Sequence, residues 1–144
     1  MMLSNYLSNS VIDWLLRGQA FSPPATVYVA LFTTGPTAAG GGTEVSVGGY
    51  ARVAVASSLA NWAGTQGAGT TAASSGTSGT TSNNAAITFP APSAGWGDIV
   101  AAAIFDAPTG GNMLIFGELT TAKTVNNGDP APSFSAAALS LTLT

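Results

Sequence analysis

One stretch of the chain leaves little choice of conformation: Asp98 to Leu119, DIVAAAIFDAPTGGNMLIFGEL. Two apolar runs, Ile99–Phe105 and Met113–Phe116, flank the segment Asp-Ala-Pro-Thr-Gly-Gly. The flanks are β-branched and aromatic and the middle is built of turn formers, which is the pattern of a β-hairpin. Neither arm alternates polar with apolar residues, so both faces of both strands must be covered by other protein. One face is expected against an opposing sheet, the other under an N-terminal helix or a neighbouring subunit.

Composition narrows what can do the covering. Hydrophobic residues make up 46% of the 144-residue chain, but many of them are alanine. The length suits one domain with a real core, whose layers must be thin and rest on the few large apolar side chains. Charged residues are only 6%, against roughly 25% in ordinary soluble domains. Either part of the surface is buried against other subunits, or a Ser/Thr/Asn/Gly-rich surface is solvated without charge. The net charge is −3, with Arg17, Arg52 and Lys123 as the cations, which argues against nucleic-acid binding. There is no cysteine, so disulfide and thiolate chemistry are excluded. The start lacks the basic region and unbroken apolar run of a signal peptide. No run of about 18 apolar residues occurs, so no membrane-spanning helix is expected.

Residues 3–17 read as a short amphipathic helix. Leu3, Tyr6, Leu7, Val11, Trp14 and Leu15 recur at three- and four-residue spacing. Ser4 suits the N-cap, Gly18 the C′ position, and Pro23-Pro24 blocks continuation. Packing on the chain's own sheet is the expected role and docking on a partner the alternative; a polar face without lysines argues against a membrane surface. Thr26–Thr33 is a strong strand, followed by a turn and a glycine-rich loop. A second strand, Tyr50–Leu59, carries Arg52 on a mildly apolar face, where it is expected to pair with a carboxylate such as Glu44.

From Ala63 to Ser82 every residue except Gln66 is Gly, Ala, Ser or Thr. Such a segment buries too little apolar surface to offset its ordering entropy. Alone it reads as a flexible linker; within a domain it reads as a long excursion, ordered only against a neighbouring subunit. Asn84–Phe89 resumes as a strand, and Trp96 between two glycines reads as a plug over one end of the core or as an exposed contact. After the hairpin come a polar segment Thr120–Val125, a dense turn at Asn126–Pro130 and a last strand, Phe134–Thr144, with Ala137, Leu139, Leu141 and Leu143 on one face. Six or seven strands with regular turns describe an all-β fold. The expected architecture is a single antiparallel β-sandwich domain over 1–144, jelly-roll-like, with one short N-terminal helix and the excursion at 63–82.

Catalytic patterns are missing. Without histidine, a histidine-based triad, general base or zinc site is ruled out. Lys123 lacks the apolar setting that covalent lysine chemistry needs. The carboxylates Asp13, Glu44, Asp98, Asp106, Glu118 and Asp129 are isolated in sequence. Asp98, Asp106 and Glu118 around the hairpin are the set a glycosidase pair would draw on, but acids at turns and strand ends are ordinary surface residues. Asn126–Asp129 offers oxygen ligands without the EF-hand spacing and reads as an Asn-Gly turn. Gly40-Gly41-Gly42 lacks the helix and lysine of a phosphate cradle. No catalytic, cofactor-binding or metal residue is assigned, and no enzyme is expected.

Three stretches carry a resemblance. The first is Asp13-Trp14-Leu15-Leu16-Arg17-Gly18, followed by Pro23-Pro24-Ala25-Thr26-Val27-Tyr28-Val29-Ala30-Leu31-Phe32-Thr33-Thr34. The second is Gly42-Thr43-Glu44-Val45 with Gly49-Tyr50-Ala51-Arg52-Val53. The third runs from Ile104-Phe105-Asp106-Ala107 through Gly110-Gly111 and Phe116-Gly117-Glu118-Leu119 to Lys123–Asp129. In order and spacing the chain resembles a family of small tailed-bacteriophage virion proteins, tail-fibre-like or head-decorating.

The resemblance implies a non-enzymatic, cofactor-free particle protein acting as an oligomer. Its partners would be itself, as a homotrimer, and the major capsid protein or tail proteins; its location would be the virion, after assembly in the bacterial host cytoplasm. As a capsid cement or decoration protein it would stabilise the head by bridging capsomers, and the lack of a shaft in this chain favours that placement. The alternative is a tail-fibre or tail-tip component contacting the host. Either would work by burying apolar and Ser/Thr-rich surface over many copies, with avidity from the lattice. Trp14, Trp62, Trp96 and Tyr50 are the candidate inter-subunit contacts. A third reading is a carbohydrate-binding β-sandwich that stacks sugars on Trp62, Trp96 or Tyr50.

Overall fold

A computed structural model of the chain describes residues 1–143. In chain order its elements are β1 (Met2–Leu3), α1 (Asn5–Leu16), β2 (Thr26–Thr34), β3 (Thr43–Glu44), β4 (Val53–Ala56), β5 (Thr80–Ser82), β6 (Ile87–Thr88), β7 (Gly97–Phe105), β8 (Met113–Val125), β9 (Ser133–Phe134) and β10 (Ser140–Thr142). The fold is mostly β and antiparallel, with one short N-terminal helix.

The hairpin sits at the centre of the main sheet. Six strands run in the order β1-β8-β7-β2-β3, and β4 also pairs with β2. The β7–β2 register sets Ala103, Ala102 and Ala101 against Ala30, Leu31 and Phe32. The second hairpin arm is longer than its apolar run, because β8 takes in Thr120–Val125 and so places Lys123 opposite Ile99. Ala101 already lies opposite Glu118, so Leu119–Ala122 stand against Val100 alone. This wide bulge breaks the two-residue period of β7. Ile99 and Ala102 therefore belong to one core cluster, while Val100 and Ala101 belong to the other.

Both hairpin faces are covered, as the sequence pattern requires. On one face Val29, Leu31, Ile99, Ala102 and Ile104 pack beneath Ile87, Phe89, Trp96 and Leu139. On the other, Ala30, Phe32, Ala101, Ala103, Met113 and Phe116 form a second cluster. That face is covered from within the chain: a Cβ on Gly35 would lie 3.5 Å from the Ala101 Cβ, so the loop after β2 folds back over the alanines. The Asn5 N–H then donates to the Ala38 carbonyl (2.8 Å) and ties that loop to the start of α1. The cover is thus a loop, neither the helix body nor a neighbouring subunit.

Among the described residues, no second sheet of comparable size opposes the first. Two two-stranded ribbons, β5–β10 and β6–β9, stand there instead. The expected last strand, Phe134–Thr144, is interrupted, and its end at Thr144 lies outside the described residues. The cause is Asn83, 1% exposed. Its carbonyl accepts from Ala137 N–H, its Oδ1 accepts from Leu139 N–H, and its Nδ2 donates to the Ser135 and Ala85 carbonyls. Drawn around this amide, the chain turns at Ala137 with φ +65° and divides into β9 and β10. The expected strands Tyr50–Leu59 and Asn84–Phe89 likewise shrink to β4 and β6.

The Gly/Ala/Ser/Thr tract closes on itself within one chain. Thr65 Oγ1 donates to Gly76 O (3.3 Å), Ser78 Oγ to Thr65 O (2.8 Å), and Thr70 Oγ1 to Gly67 O (2.7 Å). Gln66 Nε2 reaches the Ala73 carbonyl at 2.6 Å. Gly76 lies against the Thr65 carbonyl so closely that no Cβ fits. Hydroxyl-to-backbone bonds of this kind replace strand ladders. Ordering of the tract therefore needs no neighbour.

The alanines of β7 should tolerate no growth. Ala103 is 0% exposed, so Ala103→Val is expected to cost about 1–3 kcal/mol through overpacking. Thermal denaturation checks this, with Ala136→Val on the exposed surface as a near-neutral control.

Candidate interaction surface

The start of α1 is fixed and its end is not. Ser4 caps the helix by accepting from Leu7 N–H at 3.1 Å. Its own N–H donates to Leu114 O (2.9 Å) and its hydroxyl to Met113 O (2.5 Å), which pins this cap to β8. At the other end Gly18 adopts φ +70°, and Arg17 and Gln19 N–H both return to the Asp13 carbonyl. Between these ends no helix residue is buried. The helix expected to pack on its own sheet does so only over its first turns. Trp14, Leu15 and Leu16 are 54%, 65% and 77% exposed. The last turn overhangs the body because all its tethers lie at the cap.

Beside the anchored half of α1 runs an apolar groove of about 270 Å³, lined by Leu7, Phe21, Pro24, Trp62, Ile115 and Leu141 among others. It opens between the helix, the segment leading into β2 and the β5–β10 ribbon. Of the four aromatic candidates, Trp62 stands in the groove wall and Trp14 lies apart from it on the overhang. The other two are internal. Trp96 is 4% exposed and its indole N–H donates to Gly48 O at 3.0 Å, so it plugs the core. The Tyr50 ring stacks on Phe89 at 6.2 Å and meets Trp96 edge-on at 5.4 Å. Its faces are not free for sugar stacking.

A larger polar cleft, about 630 Å³, lies between Gly40–Gly42 and Gly110–Asn112 over Phe32 and Phe105. Arg52 and Glu44 border it, paired as the sequence implies. Arg52 Nε and Nη2 each donate to a different Glu44 oxygen at 2.8 Å. Nη1 donates to the Ala107 and Gly110 carbonyls, and the guanidinium lies 3.7 Å from the Phe105 ring centroid. Every nitrogen is engaged and four of the five N–H donors are placed, so Arg52 braces the hairpin turn. Glu44 Oε1 also accepts from the Tyr50 hydroxyl, which itself accepts from Leu31 N–H. Burial, opposed by that backbone bond and aided by the nearby Glu44 charge, drives the Tyr50 phenol well above its ordinary range.

Two of the three hairpin acids are likewise committed, Glu118 excepted. Asp106 accepts from Asn112 N–H (2.7 Å) and Nδ2 (2.9 Å) across the turn, and Asp98 accepts from the Thr124 hydroxyl (2.5 Å). They lie at opposite ends of β7, about 25 Å apart at strand rise, beyond the roughly 5–10 Å of a glycosidase pair. Asp129 accepts from Asn126 N–H (2.8 Å), a closed turn. Sequence reasoning missed the groove, whose walls come from seven segments spread between Met1 and Leu141, and missed Asn83, which no local pattern distinguishes from its neighbour Asn84.

The surface thus combines a braced β layer, whose polar side chains hold its own turns, with an apolar helix end left in solvent. Over residues 2–142 the chain matches the model of the family described as podophage GP4 fiber I protein gp80. It belongs to that family of fibre-like phage virion structural proteins. No curated protein matches the chain.

Two outcomes test the bracing network. Arg52→Ala removes the cation from Glu44 and the donor from two turn carbonyls, and should cost about 3 kcal/mol in urea denaturation. The raised Tyr50 pKa means the phenol ionises only once the chain unfolds. Its stabilisation is therefore complete below the ordinary value of 10.0 and declines as pH rises above it. Tyr50→Phe should flatten that alkaline decline while costing about 1–2 kcal/mol at neutral pH.

Proposed function

We propose that this protein is a non-enzymatic component of a phage tail fibre that works through protein–protein contact. The observation that carries the reading is the match to a fibre protein family over residues 2–142. The chemistry of the chain supports it. Four of its six acids and its one buried arginine are spent on turns and strand edges, while its large exposed apolar residues gather on α1. With charge at only 6%, apolar and hydroxyl surface is what the module has to offer a partner, and multivalency turns modest contacts into firm attachment.

Attachment to the head, as a cement protein bridging capsomers, is the competing placement, suggested by the absence of a shaft within the chain. Particles made without the protein separate the two. A fibre component leaves DNA retention on heating unchanged and abolishes adsorption to the host, with few copies per wild-type particle. Loss of DNA on heating with normal adsorption, and enough copies to cover the capsid lattice, would refute the fibre reading.

A further inference from the structure

We propose that the overhanging last turn of α1 seats in the apolar groove of a second copy of this chain, and that the exchange is reciprocal. The inference builds on the reading of the protein as a contact-making particle component and names its first partner.

The overhang has the chemistry of a buried element. Trp14, Leu15 and Leu16 follow one another at about 100° per residue and cover roughly 200° of the helix circumference. A turn apolar over that much of its surface belongs inside protein. The remaining side holds Asp13 and Arg17, paired at 2.8 Å, so seating the turn strands no lone charge. Its own groove is out of reach. Leu7 is part of that groove's wall, and Leu15 lies about 12 Å further along the same rigid rod.

The groove fits such an occupant. A cavity of about 150 Å³ accepts a benzene ring, so the groove of about 270 Å³ accommodates the indole of Trp14 or paired leucines. Area decides that the occupant is a second copy and that each seats the other. Ile12, Trp14, Leu15 and Leu16, 50–77% exposed, present roughly 500 Å² of surface. With roughly 100 Å² of groove, each copy contributes roughly 600 Å², and the total of roughly 1,200 Å² reaches the lower edge of specific, stable interfaces. A one-way contact would bury about half as much in total and fall in the range of incidental packing.

Because the natural chain has no cysteine, crosslinking gives a direct test on the full chain. Leu15→Cys is placed on the overhang and Ser57→Cys on the exposed groove rim. The double variant, oxidised, should run as a covalent dimer, and a mixture of the two single variants should give a crosslinked heterodimer. Monomer alone from a protein with unchanged circular dichroism would overturn the proposal, and a ladder of higher multimers would overturn reciprocity. Independently, Trp14→Ala, a change at an exposed site, should weaken self-association at least about thirty-fold, the effect of a 2 kcal/mol hot spot. Light scattering reads this, and an unchanged dissociation constant, or a wild-type protein monomeric at all concentrations, would also overturn the contact. Crosslinking that succeeds while particle experiments place the protein on the head would retain the contact and discard the fibre assignment.

Discussion

The constraint on which this structure rests is the two-sided burial of β7. Ala101 and Ala103 have no exposure and face one cluster, while Ala102 and Ile104 face the other. A strand of alanines contributes little volume, so close approach must supply the packing. On one side Gly35 brings a loop backbone down onto Ala101; on the other, Phe89, Trp96 and Leu139 reach in from loops and ribbons. Interiors at crystal-like density lose stability with any gap or excess. Small side chains in the sheet are therefore matched to large ones in its cover, and the thin layers implied by the alanine content are the result.

The second dependency is the outer edge of β2, which two short strands share. Val29 pairs with Val53 of β4, and Phe32 with Glu44 of β3. Between these pairs Leu31 N–H has no strand opposite it, and the Tyr50 hydroxyl takes that place at 3.0 Å. The same hydroxyl donates to Glu44, which holds Arg52, which holds the Ala107 and Gly110 carbonyls. One network thus closes an edge and braces the turn of the central hairpin. A buried donor left unpaired costs more than a formed bond gains, and this explains why so few charges are concentrated here. The charged groups that border the neighbouring cleft, Glu44 and Arg52, are spent within this network.

What could be read from the sequence was what local residue pattern determines. The hairpin follows from two apolar runs around a turn, the helix from its spacing with Ser4 and Gly18 at its ends, and the Glu44–Arg52 pair from an arginine on an apolar strand face. Three features depend on contacts distant in sequence. The last strand reads as continuous until Asn83, more than fifty residues earlier, captures Leu139. The period of β7 fails because β8 bulges opposite Val100. The tract 63–82 reads as disordered from apolar burial alone, since that accounting omits hydroxyls that satisfy backbone groups one by one. The jelly-roll expectation is left unconfirmed for related reasons, because strands judged by their own residues have expected lengths that their partners do not support.

The helix joins these themes to the role of the protein. An amphipathic pattern states that a helix buries one side, but not against what. Here every tether lies at the first turn, through Ser4 to β8 and Asn5 to the Ala38 loop. The tethers secure the direction of the helix while leaving its last turn no surface within the chain. A flexible end would lose conformational freedom whenever it met a partner. One held straight from a capped base has already lost most of it, so the apolar area of Trp14, Leu15 and Leu16 remains available to favour association. On the proposed reading, a rigid apolar projection on a sparsely charged body is the physical basis on which copies of this chain would join.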